Sequence, residues 1–193
     1  MRVIGNPVVG RLGLGFFLFF LAFNGFTAIL VLYFKQRFNW GSELATTAFL
    51  IVGVVATVVQ GGLIGPLVNR FGEWKLTLID LGLVIAGCVL IPTTNPEQAR
   101  TGVFTAVEIL ASGTGLVTPS LRSMMSRRLI DEGEGAALGS LQALQSLGSF
   151  LGPPLAGLGY DLLGQTSPFF GGAGLLVVVV LLVTRSHLEH TTS

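Results

Sequence analysis

Six runs of about 20 mostly apolar residues account for nearly all of this 193-residue chain, and about 20 is the length an α-helix needs to cross the hydrocarbon core of a bilayer. They fall at residues 13–34, 44–66, 75–93, 102–121, 135–159 and 167–184. The charged and turn-forming residues collect in short breaks at 35–40, 68–74, 95–97, 127–134 and 161–166. Only 11% of residues are charged, against about a quarter in soluble domains, and mean hydropathy is +0.76. The prediction is an all-α membrane protein, a single six-helix transmembrane domain over residues 1–193. The breaks leave no room for a soluble domain between spans. The first run is longer than the apolar core of a signal peptide and stays Phe-rich where a small-residue cleavage site would stand, so it is expected to persist in the mature protein.

Lys and Arg set the expected orientation. Arg2, Arg11, Arg70, Lys75, Arg122, Arg127, Arg128 and Arg185 lie on one side, and Lys35, Arg37 and Arg100 on the other. The positive-inside rule then puts both termini in the cytoplasm. The net charge of +1 provides no basic field for nucleic acid, and one cysteine excludes an internal disulfide or a Cys-cluster metal site.

Polar side chains within hydrocarbon need a partner or a wet cavity. Glu108 is the main case, roughly 9 Å inside the outer end of its span by helical rise. Thr101, Thr105, Glu108, Ser112 and Gly115 recur on one helical face, away from Val107, Ile109, Leu110, Leu116 and Val117. Either Glu108 titrates, binding a proton or a cationic solute group, or it is a protonated acid bonded to a neighbouring helix. Gln142, Gln145, Ser149 and Gly152 share a face of the fifth span, and Gly53, Thr57 and Gln60 one of the second. Asn24 lies near mid-span among Phe16, Phe17, Phe19, Phe20, Phe23 and Phe26. These residues suit either a cavity with aromatic walls for an amphipathic solute or interhelical hydrogen bonds with lipid-facing phenylalanines. Gly61/Gly65, Gly135/Gly139 and Gly148/Gly152 would allow close helix approach. Pro153 and Pro154 remove backbone donors and should bend the fifth span.

Enzymatic readings find no support. Asp80 and Asp161 are expected at opposite membrane faces and cannot form a catalytic pair. His187 and His190 follow the last span, where they read as a solvated tail. No hydrolase, metalloprotease or phosphate-loop motif occurs, and Cys88 reads as a small buried apolar residue. No cofactor and no metal are expected.

Two stretches carry a family resemblance. Gly65-Pro66-Leu67-Val68-Asn69-Arg70-Phe71-Gly72-Glu73-Trp74-Lys75 is similar to the cytoplasmic loop signature of the major facilitator superfamily, Gly-x-Leu-x-Asp-Arg-x-Gly-Arg-Arg/Lys. Gly72 would make the tight turn, and Arg70 would meet helix ends and acidic partners. Asn69 stands where the family has Asp, and Glu73 where it has a base, which weakens the charged latch. The second stretch runs from Thr118-Pro119-Ser120-Leu121 through Ser126-Arg127 to Gly139-Ser140-Leu141-Gln142 and Gly148-Ser149-Phe150-Leu151-Gly152-Pro153-Pro154-Leu155-Ala156-Gly157. It resembles the carboxyl-terminal half of drug:proton antiporters such as tetracycline exporters, including a Gly-Pro element like the antiporter motif.

The resemblance implies a bacterial inner-membrane protein and half of a twelve-helix bundle. The chain would then be a fragment, a half-size protein pairing with itself or another half, or a descendant in a non-transport role. As a transporter it would export a small amphipathic solute in exchange for protons, by alternating access with a second half. Asn24, Glu108, Gln142 and Gln145, with Thr105, Ser112, Thr57 and Gln60, would face the cavity. The other reading, from a different functional class, is a non-transporting subunit that packs against and stabilises a larger membrane complex.

Overall fold

The computed structural model describes residues 7–126 and 134–191; the expected basic loop with Arg127 and Arg128 lies outside them. The described residues form six α-helices: α1 (Pro7–Phe38), α2 (Ser42–Val58), α3 (Ile64–Thr93), α4 (Ala99–Ser126), α5 (Glu134–Leu163) and α6 (Ser167–Thr191). Among the described residues five helical stretches are long and apolar enough to cross a membrane: Gly10–Phe38, Ser42–Gly62, Gly65–Thr93, Pro96–Ser123 and Ser167–Ser186. Their exposed surface is largely apolar, with Leu50 and Val54 on α2, Ile79 and Leu90 on α3, and Val177 and Leu181 on α6 exposed. A water-soluble domain would bury such a surface; lipid accepts it. The chain is an integral membrane protein.

Local chemistry ends each helix. α1 stops where Asn39 takes a left-handed conformation, φ 52°, which Asn tolerates better than most side chains. Gly164, at φ 101°, ends α5 and donates its N–H to the Tyr160 carbonyl at 3.1 Å. Pro168 in the first turn of α6 lacks only an N–H that the helix would leave unpaired.

The loop expected at 68–74 is narrower in the structure. The chain stays helical from Ser42 through a π-helical turn, Val59–Leu63, up to residue 71. A single residue breaks it: Gly72, at φ 75° and ψ 155°. Gly65, Asn69 and Arg70 are therefore helical, and Lys75 lies in the first turn beyond the break. α5 runs unbroken through Pro153 and Pro154.

α3 packs most closely on α4, and α1 on α5 and α6; α3 also meets α6, and α2 meets α4. α4–α5, α5–α6 and α1–α4 touch only slightly. The helices therefore run α2, α4, α3, α6, α1, α5 around the unit. The core is an aromatic ladder on α1. Phe16 and Phe20 stack edge-on at 4.9 Å, Phe26 meets Phe169 at 6.4 Å, and Tyr33 meets Phe169 at 4.8 Å. Phe16, Phe19, Phe20 and Phe26 are buried, so these four neither wall a polar cavity nor face lipid.

Candidate functional site

α4 carries an uncovered polar face on a spanning helix. One side packs against the other helices through buried Val103, Ala106, Val107, Leu110 and Val117. The other presents Thr101, Thr105 and Glu108 exposed, with Ser112 half-buried in line below them. A period of 3.6 residues makes this a single stripe. The Ser112 hydroxyl donates to the Glu108 carbonyl at 2.8 Å; among the described residues no side chain bonds the Glu108 carboxylate. Thr57 and Gln60, on the helix that packs against α4, are exposed as well, Thr57 donating to the Gly53 carbonyl at 2.7 Å. The polar stripe read from the sequence is thus one face of α4, and it opens outward from this chain.

The remaining expected residues do not gather around Glu108. Asn24 is half-buried, and its Nδ2 donates to the Phe20 carbonyl at 2.9 Å and to the Ser149 hydroxyl of α5 at 3.1 Å. It joins α1 to α5. Arg122 of α4 holds Gln145 and Gln142 of α5: one terminal guanidinium nitrogen donates to Gln145 Oε1 at 2.5 Å and reaches Gln142 Oε1 at 3.5 Å. A cavity of about 390 Å³ lies between α1, α5 and α6, lined by Leu21, Phe26, Leu155, Ala156, Leu163 and Leu175 among others. It is apolar, and none of Glu108, Gln142 and Gln145 reaches it. Among the described residues, this cavity does not gather the expected polar side chains.

Of the small-residue pairs, one is used. A Cβ built on Gly148 would lie 2.7 Å from the Phe17 carbonyl oxygen, and one on Gly152 2.5 Å from that of Leu21. Among the described residues nothing lies within 4 Å of a Cβ on Gly61, Gly65 or Gly139; the surroundings of Gly135 lie outside that description.

Around Gly72, Arg70 lies over the Phe71 ring, 5.6 Å from its centroid, and forms no ion pair with a described acid. The tie across the turn comes from Glu73, which accepts a hydrogen bond from Ser123 of α4 at 2.9 Å. The residue that departs from the resembled signature therefore makes the contact. Asp80, weighed in the sequence only as half of a catalytic pair, is also a buried acid. It is 1% exposed, and among the described residues neither carboxylate oxygen has a hydrogen-bond partner. Its backbone carbonyl lies against Gly113 of α4, where an added Cβ would come within 2.5 Å. An acid five residues inside an apolar run was the available signal.

The sequence profile of the Major Facilitator Superfamily matches residues 2–132. The class C tetracycline resistance protein of Escherichia coli is 29% identical over 192 residues, covering 98% of this chain and 48% of its own. The MFS-type transporter YhhS of Escherichia coli K12 is 29% identical over 186 residues, 93% of this chain and 44% of its own. The human organic anion transporter MFSD10 superposes with a TM-score of 0.77 over 90% of this chain and 40% of its own, at 24% identity, a likeness of fold. The chain spans about half the length of the curated relatives it matches. With the profile matching well over half of its length and the helical fold agreeing, this chain belongs to the major facilitator superfamily.

Proposed function

We propose that this chain is one six-helix half of an alternating-access carrier, and that the α4 stripe faces a cavity shared with a second half. One observation carries the proposal: an acid and a line of hydroxyls stand uncovered on a membrane-spanning helix, where contact with lipid would be costly. A second half laid over α4 turns that surface inward. α5 serves as the sixth span; its 30 residues reach roughly 45 Å. The distribution of Lys and Arg supports both termini facing the cytoplasm of a bacterial inner membrane.

The resistance proteins and YhhS among the relatives support export of a small amphipathic solute. Two acids within spans, Glu108 and the unbonded Asp80, support proton exchange as the driving step. The second half is supplied by another chain, by further sequence, or by a second copy.

The test is proton-gradient-driven uptake into inverted vesicles carrying this chain with its partner half. Glu108→Gln is expected to reduce uptake at least about tenfold, the scale of a lost charge interaction of roughly 1.4 kcal/mol. Unchanged uptake would remove Glu108 from the mechanism. Stable co-purification with unrelated membrane proteins, without transport on reconstitution, would favour the packing-subunit reading.

A further inference from the structure

Arg122 continues the α4 stripe. It lies fourteen residues beyond Glu108, within about 40° of it around the helix and roughly 21 Å further along. The stripe therefore has an acid toward one end and a guanidinium at the other. The Arg122 side chain is half-buried where α4 and α5 approach. Its described bonds are to two neutral amide oxygens, those of Gln145 and Gln142, and among the described residues its buried Nε has no partner. No described acid pairs with it.

Among the described residues, only these two neutral carbonyls meet the positive charge. A partly desolvated guanidinium is best matched by a planar oxyanion accepting two parallel N–H bonds. The glutamines suit the same guest, since rotating each amide replaces an oxygen acceptor with an NH₂ donor. We infer that Arg122, Gln142 and Gln145 form a binding site for the oxyanion group of a solute, a carboxylate or phosphate, with the glutamine oxygens holding its place in the empty site. The inference rests on the reading of the α4 face as lined by solute, and it narrows the solute to amphipathic compounds bearing an acidic group.

The experiment uses the full chain in phosphatidylcholine nanodiscs, titrated at constant ionic strength with salicylate or with its neutral amide, salicylamide. The midpoint of thermal unfolding is followed by tryptophan fluorescence. Salicylate is expected to raise the midpoint and salicylamide to leave it unchanged. Arg122→Gln should weaken the salicylate response at least about tenfold, as loss of a charge-assisted hydrogen bond implies. Gln145→Glu supplies a built-in carboxylate, so it should raise the midpoint without ligand and abolish the response; it decides the matter if Arg122→Gln does not fold. Equal responses to both compounds, or an undiminished salicylate response in either variant, would overturn the site. A shift produced by phosphatidylglycerol but not by salicylate would place a lipid phosphate there and overturn the assignment to a solute. Binding is measured without transport, so a failure here leaves the two-half proposal standing, and a failure of transport leaves this result standing.

Discussion

Single residues decide how closely α1 and α5 approach. Gly148 and Gly152 lie one helical turn apart and bring the α1 backbone to within less than a side chain's width. Gly152→Val forces a branched side chain against the Leu21 carbonyl. Overpacking of this kind costs about 1–3 kcal/mol, which should appear as a lower thermal midpoint in detergent. Gly157, with open space around it, is the control; Gly157→Val should shift the midpoint far less. Asn24 lies close enough to this contact to bond Ser149 across it. A polar residue at mid-span was legible in the sequence, but its partner, 125 residues away in the chain, was not. Periodicity shows which residues share a face and says nothing about which helix meets it. The phenylalanines of α1 teach the same lesson: their apolarity was plain, and only packing against Phe169 and one another put four of them in the core.

Helices begin and end for reasons that travel with short stretches of sequence, and here reading ahead worked well. The turn expected at Gly72 is where the helical path breaks, because φ 75° with ψ 155° is open almost solely to glycine. Gly72→Ala should therefore cost about 1–3 kcal/mol, read as a lower unfolding midpoint, and loosen the Glu73–Ser123 tie. An unchanged midpoint would mean that the break is not held in this conformation. The extent of the loop was less legible. Residues 68–71 carry charge and asparagine, yet they remain helical, since nothing in Asn69-Arg70-Phe71 forbids a helix at a membrane surface. α5 continues through its paired prolines, as a spanning helix does when neighbours or adjacent turns satisfy the freed carbonyls.

For the molecule as a whole, the question is which surface meets lipid. The uncovered parts of α6 present Phe170, Val177, Val178 and Leu181, whereas α4 presents Thr101, Thr105 and Glu108. If the α4 face lines a water-filled cavity, Thr105→Cys in a Cys88→Ala background should react with a membrane-impermeant maleimide. Val177→Cys in the same background should not react. Labelling of the Val177 variant, with the Thr105 variant silent, would reverse the assignment of faces. Cys88 is fully buried, so its replacement by a small residue removes background without exposing new surface.

The amino-acid sequence by itself determined that the chain lives in a membrane, roughly where its helices lie, and that Thr101, Thr105, Glu108 and Ser112 share one side of a helix; the turn at Gly72 came with the resemblance to the family's loop signature. The first three follow from the length of an apolar run and the 3.6-residue period, both of them local. Tertiary structure alone decided that this side is left bare, that Arg122 takes Gln145 from a neighbouring helix, and that Asp80 is sealed without a partner. In a bilayer, lipid and protein interior are equally apolar, so hydrophobicity cannot sort buried faces from bare ones. Close packing and hydrogen bonds between distant segments do that sorting.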